Sequence, residues 1–197
     1  GVWGFLIKAL GLTNVIAELR AKARDNWIKQ EQPEIWQKTR HYISLSTYLT
    51  FKLTGQMKDS TGSTMGYLPY DYRQQQWAKK SDLKWKLLAA TRDMMPELVK
   101  PGELLGKITS QASAFTALPE GLKMIAAASD KACEVLGSGG VEPHVGCLSY
   151  GTTATINTST KKYVETIPFI PPYSAAMPGV YNTEMMVYRG FWMVNWF

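Results

Sequence analysis

An α/β fold is predicted by three observations. The stretch Met124–Thr158 carries strand, helix and strand signals in turn: an apolar run Met124–Ala128, a polar tip at Ser129-Asp130, a short helical segment, then two β-prone runs, Gly146–Tyr150 and Thr153–Thr158. Apolar residues at helical spacing occupy the first quarter of the chain. Further β-prone segments, Tyr163–Ile167 and Val180–Tyr188, follow in the last quarter, separated by a loop with Pro168, Pro171, Pro172 and Pro178.

The elements before that stretch are read as follows. Gly1–Leu12 carries Trp3, Phe5, Leu6, Ile7 and Leu10, a short buried helix or an exposed patch. Thr13-Asn14 serves as a helix cap ahead of Val15, Ile16, Leu19, Ala23 and Trp27. Pro33 suits the first turn of the next helix, whose apolar face is expected from Ile35, Trp36, Ile43, Tyr48 and Leu49, with a break near Leu45 and an end at Gly55. His41 falls within this helical region as a packing or surface residue. Asp59–Thr64 (DSTGST) resembles a phosphate loop in composition. It lacks the strand–loop–helix context and the lysine of one, so a polar architectural turn is expected. Trp77–Thr91 interleaves Lys and Trp and reads as a surface helix with Leu83, Leu87 and Leu88 inward. Pro96–Gly121 is a Pro-, Gly- and Ser-rich connection with a short strand at Glu103–Ile108, and Gly190–Phe197 begins an apolar helix.

Bulk properties narrow the function classes. The 197 residues are 45% hydrophobic and 19% charged, ordinary for a globular protein. The net charge of +6 comes from scattered Lys and Arg, a weak bias toward anionic ligands with no block that reads nucleic acid. The two cysteines, Cys133 and Cys147, are too few for a disulfide framework or a zinc site, so a reducing cytoplasm is expected and no metal site is assigned. His144 and Cys147 are three apart without a second ligand pair, so both are read as structural. Val2–Leu12 is interrupted by Lys8 and is too short to span a bilayer, so no membrane partner is expected. The chain begins with Gly and is read as a fragment.

The chemistry concentrates in the central stretch. Asp130 stands at a strand end, where a carboxylate serves either as a helix cap or as a general base. Gly151-Thr152-Thr153 joins two β-prone runs, as a hairpin that offers backbone N–H groups and hydroxyls to a phosphate. An acidic strand end beside a phosphate-facing turn points to phosphoryl transfer to an alcohol. As plain strand residues, Thr152 and Thr153 need no such role.

Segments along the chain resemble the FGGY carbohydrate kinases in family order: Ser46–Gly55 (STYLTFKLTG), Asp59–Tyr70 (DSTGSTMGYLPY), Met95–Leu98 with Gly106, Ala126–Gly137 (AAASDKACEVLG) and Ser149–Thr155 (SYGTTAT). Each motif is short and degenerate; their order and spacing carry the match. The resemblance implies an actin-like, ribonuclease-H-like ATPase fold, present in part. Residues 1–138 would be the back of the N-terminal domain and residues 139–197 the start of the C-terminal one. It implies ATP-dependent phosphorylation of a sugar or polyol with Mg²⁺, with Asp130 as base and Gly151, Thr152 and Thr153 at the ATP phosphates. Lys131 stands where the family usually has Gln or Asn at the substrate, and is expected to meet an acidic sugar or to pair with Asp130. The family's Asp-x-Gly-Thr loop and its adenosine glycines do not occur in these residues, so the segment alone is expected to be inactive. Unpaired apolar surface at Gly190–Phe197 allows a homo-oligomer. A non-sugar phosphotransferase or ATPase of the same fold, and a non-catalytic sugar- or nucleotide-binding relative, remain as alternatives.

Overall fold

The computed structural model describes residues 16–17, 20–21, 23–64, 68–167 and 170–196. The segment Gly1–Leu12 and the cap at Thr13-Asn14 lie outside them. The first elements in chain order are α1 (Arg24–Glu31), α2 (Pro33–Lys38), α3 (Leu45–Thr54), β1 (Lys58–Ser60), β2 (Tyr70–Asp71), β3 (Gln76–Trp77), β4 (Glu97–Val99) and β5 (Leu104–Lys107). They are followed by α4 (Ser110–Thr116), β6 (Lys123–Ile125), α5 (Asp130–Gly137), β7 (Cys147–Tyr150), β8 (Ala154–Thr160), β9 (Tyr173–Ser174), β10 (Tyr181–Val187) and α6 (Trp192–Trp196). Two compact units result, one from Gly1–Ser44, Gly66–Pro69 and Trp77–Pro96, the other from Leu45–Met65, Tyr70–Gln76 and Glu97–Phe197.

In the first unit Pro33 opens α2, as its fixed φ predicts. Residues 39–44 are not helical, so His41 lies in a connection rather than a helix. Asp25 is buried and its Oδ2 accepts the Ala90 N–H at 2.7 Å. Asn26 Nδ2 donates to the Leu87 carbonyl at 2.8 Å, and the Trp77 indole donates to the Pro96 carbonyl at 2.8 Å. These long-range bonds hold the backbone of residues 77–91 in an irregular path. The surface helix expected there is reduced to a 3₁₀ turn, Leu83–Leu87, capped by Asp82 Oδ1, which accepts the Lys84 N–H. Leu83 is exposed rather than inward.

In the second unit α3 reverses the expected face. Thr47, Thr50 and Thr54 are buried, while Tyr48 and Leu49 are exposed. At Thr54 close approach explains the choice: a Cβ on Gly106 of β5 would lie 2.6 Å from Thr54 Cβ, so neither side has room for a larger residue. The Thr50 and Thr54 hydroxyls donate to carbonyls four residues back, Ser46 O at 2.9 Å and Thr50 O at 2.7 Å. Burial of these hydroxyls therefore leaves no orphaned donor.

Beneath α3, β1 runs parallel to β4 with Lys58 opposite Glu97, and β5 pairs antiparallel with β6. Residues 110–116, read as connection, form α4, N-capped by Thr109 Oγ1 accepting the Ala112 N–H. The last four strands make one antiparallel sheet in the order β7-β8-β10-β9. The expected hairpin is present, with Tyr150 opposite Ala154 and Cys147 opposite Asn157. Tyr163–Ile167 is not a strand; Ile167 makes only an isolated bridge to Ile170. The Tyr163 ring packs between the Arg73 guanidinium, 4.4 Å from its centroid, and the Tyr181 ring at 5.5 Å, which holds that segment outside the ladder. The apolar helix expected at Gly190–Phe197 is confined to α6.

Candidate active site

The strand expected to run from Met124 to Ala128 ends at Ile125 as part of β6, and the connection from there into Asp130 is held by the Asp59–Thr64 turn. Asp59 is buried and its Oδ2 accepts from Ser46 Oγ at 2.7 Å and Thr47 Oγ1 at 2.6 Å, which fixes the start of the turn against α3. Ser60 Oγ donates to the Ala127 carbonyl, and the Ser129 N–H donates to the Gly62 carbonyl at 2.9 Å. Gly62 pairs in parallel with Ala128, and a Cβ there would lie 2.6 Å from Ala128 Cβ and 3.2 Å from the Ala175 carbonyl. The turn is therefore architectural, and glycine is required for the backbones to approach.

From that support the chain passes directly into α5. Ser129 is the N-cap, its Oγ accepting the Ala132 N–H, and Asp130 is the first helical residue. The cap position belongs to Ser129, so the Asp130 carboxylate is free of that duty. It is exposed, and its Oδ1 accepts the Lys131 N–H at 2.7 Å. The positive end of a helix suits a carboxylate there.

Gly151, Thr152 and Thr153 form the tip between β7 and β8. The Gly151 N–H is used within the tip, donating to the Thr153 carbonyl at 2.9 Å. The Thr152 and Thr153 N–H groups and hydroxyls are without a partner among the described residues, and Gly151 and Thr152 are exposed. A residue that sequence reasoning missed, Gly190, seats the tip from behind. A Cβ on it would lie 2.0 Å from the Gly151 carbonyl oxygen, and the next residue, Phe191, donates its N–H to that oxygen at 2.8 Å. The sequence signal was a lone glycine just past a strand, which marks close backbone approach as readily as a turn.

Lys131 links the two halves of the site. Its Nζ pairs with Glu134 Oε2 at 2.5 Å, and donates to Ser149 Oγ at 3.0 Å, two residues before Gly151. Of the two outcomes expected for Lys131, pairing with Asp130 is replaced by pairing with Glu134. His144 lies in a turn, and Cys147 Sγ points to the Val135 carbonyl at 3.9 Å. Among the described residues no group of three or more His, Cys, Asp or Glu side chains is arranged to hold a metal ion.

The sheet face on the Ser149 side is polar and buried: Thr155, Asn157 and Ser159 of β8 with Asn182 of β10. Tyr173 Oη lies 2.6 Å from Asn157 Oδ1 and 2.8 Å from Glu184 Oε2. Burial raises the Tyr173 phenol most; Glu184 adds to the rise, as do the charges of Asp130 and Glu134. Burial likewise raises Tyr70. A phenol raised on folding holds its proton more tightly in the native state. Its contribution to stability is complete below about pH 10, the value of a free phenol, and is lost as pH climbs toward the raised value. Urea midpoints measured across alkaline pH are expected to stay level to about pH 10 and then fall, with a shallower fall in Tyr173→Phe. Identical slopes in the two proteins would remove Tyr173 from the account.

The model of the N-terminal domain of the FGGY family of carbohydrate kinases matches residues 14–137. An uncharacterized sugar kinase of Escherichia coli, YgcE, is 31% identical over 157 residues, 79% of this chain and 32% of that protein. The chain spans about a third of the length of the curated relatives it matches. Among solved structures, gluconate kinase from Lactobacillus acidophilus superposes with a TM-score of 0.76 at 20% identity, over 96% of this chain and 40% of that one. Plasmodium falciparum glycerol kinase with ADP superposes with a TM-score of 0.71 at 19% identity, over 86% of this chain and 35% of that one. The fold is that of the actin-like ATPases, present in part.

Proposed function

We infer the reaction from one premise: the chain belongs to the FGGY family of carbohydrate kinases. It supplies the proton acceptor and one phosphate-facing turn for transfer of the γ-phosphoryl group of ATP to a hydroxyl of a sugar or polyol. The observation that carries this reading is the joining of Asp130 to the hairpin. An exposed carboxylate opens α5, and the next residue ties that helix to the strand leading into Gly151-Thr152.

The steps follow from these residues. Asp130 accepts the proton of the attacking hydroxyl, an assistance typically worth about 10²–10⁴-fold. The free N–H and hydroxyl groups of Thr152 and Thr153 face the phosphate oxygens, and Gly151 leaves the approach open. Mg²⁺ is proposed as the companion of ATP, which supplies phosphate oxygens to it, and no step here is assigned to it. The boundary between the family's two domains is proposed near residues 138–140, a position supported by the end of the family match at residue 137. Action in the cytoplasm is proposed with the family; among the described residues no helix is long and apolar enough to cross a membrane.

The test is ADP release by the protein made from its complete gene, against a panel of polyols, ketoses, pentoses and sugar acids. Release that depends on one acceptor class is expected. Release without any acceptor would favour an ATPase, and no release at all would sink the proposal. Gly151→Val probes the turn. A Cβ at Gly151 meets nothing closer than the Thr153 carbonyl oxygen at 4.0 Å, so the new side chain starts in open space. ATP affinity is expected to drop by about tenfold or more, because the branched side chain fills the approach to phosphate, while acceptor binding is retained. Equal losses for both ligands would indicate misfolding.

A further inference from the structure

We propose that the acceptor taken at Asp130 is an uncharged sugar or polyol, and that sugar acids are refused there. The proposal rests on the kinase reading above and deepens it. By sequence, Lys131 is the obvious receptor for a sugar carboxylate. In the structure its charge is already balanced. The ammonium pairs with Glu134 and donates to Ser149, so two of its three donors are taken, and the side chain is only 25% exposed. A sugar carboxylate could reach at most the one remaining N–H of an ammonium that Glu134 already neutralises, and the Glu134 carboxylate, one helical turn along, would lie beside the newcomer.

The surroundings reinforce the refusal. Asp130, Glu134 and Glu184 all raise the Tyr173 phenol, so three carboxylates gather there against the one ammonium of Lys131. Glu184 itself lies 2.8 Å from that hydroxyl. The patch is acidic in a chain whose net charge is +6, so the local field opposes the global one. Like charges brought together are a common means of rejecting a wrong ligand. Lys131 thereby acts as a positioning residue. It clips the helix that carries the base to the strand that leads to the phosphate-facing turn.

The experiment compares matched acceptors in the protein made from its complete gene: neutral sugars and polyols, each beside the corresponding aldonic or uronic acid. Both kcat/KM and calorimetric binding are measured. In the wild type the neutral member is expected to exceed its acid by about tenfold or more in both. Glu134→Gln frees the Lys131 ammonium and should narrow that ratio by about tenfold, through KM for the acid. Lys131→Gln leaves Glu134 unpaired and should widen it, with neutral acceptors still bound. A wild type that prefers the acid, a ratio unmoved by both substitutions, or binding of neither class overturns the inference. Binding with no turnover of any acceptor overturns the kinase reading instead, and the binding ratio still decides the charge preference.

Discussion

Asp130→Asn, made in the protein expressed from its complete gene, is expected to lower turnover by about 10²-fold or more while ATP affinity barely moves. The substitution is close to isosteric, and the local bonds of Asp130 do not require a charge. Its Oδ1 accepts the Lys131 N–H at 2.7 Å, which an amide oxygen also does. Ser129, not Asp130, caps the helix, so the helix start is kept. What disappears is the proton acceptor and a carboxylate at the positive end of α5, the latter about 0.3–1 kcal/mol for an exposed group. Stability should therefore shift little while kcat collapses. The measurement is steady-state kcat beside ATP titration and a thermal melt. Turnover within a few-fold of wild type would remove Asp130 as the base. A matching loss of ATP affinity would assign it to the nucleotide instead.

The hairpin and the helix start at Ser129-Asp130 were legible because local signals fixed them, whereas the strand expected to reach Ala128 ends at Ile125. Tyr150 and Ala154 face each other across the turn that the glycine and the β-prone flanks announce. The Ser129–Asp130 pair announces a helix start within two residues. The helix α3 was misread on its inward face because periodicity assumes that apolar residues go inside. Here the neighbouring backbone comes so close at Gly106 that threonine is the size that fits, and the hydroxyls are satisfied four residues back. The extended reading of Tyr163 failed because Arg73 and Tyr181, distant in sequence, claim its ring. The role of Lys131 was open in the sequence because both its partners had to be placed first. Glu134 was reachable from helical spacing, but Ser149 only once β7 lay beside α5.

Gly190→Ala is the smallest change expected to disable the Gly151–Thr153 turn proposed to face the phosphate. A Cβ at this position would sit 2.0 Å from the Gly151 carbonyl oxygen and 2.5 Å from both the carbon and the oxygen of the Thr152 carbonyl. All three are backbone atoms, so no side-chain rotation relieves the contact. Either the tip moves outward, or the chain at Gly190 withdraws and breaks the Phe191 N–H bond to Gly151 at 2.8 Å. Both responses displace Thr152, whose N–H and hydroxyl face the phosphate in the proposed reaction. Overpacking of this kind costs about 1–3 kcal/mol. Asp130, the proposed base, lies on α5 and keeps its own support from the Gly62 turn, so acceptor binding should survive. The expected outcome is a folded protein with ATP affinity and kcat each lowered by about tenfold or more, and acceptor affinity near wild type. Gly190→Val should be worse in the same direction, because two more carbons meet the same backbone. Calorimetry with ATP and with acceptor, beside a melting curve, separates the cases. Unchanged ATP affinity in a folded Gly190→Ala protein would mean that the tip has slack the geometry does not show, and that its position does not set phosphate binding.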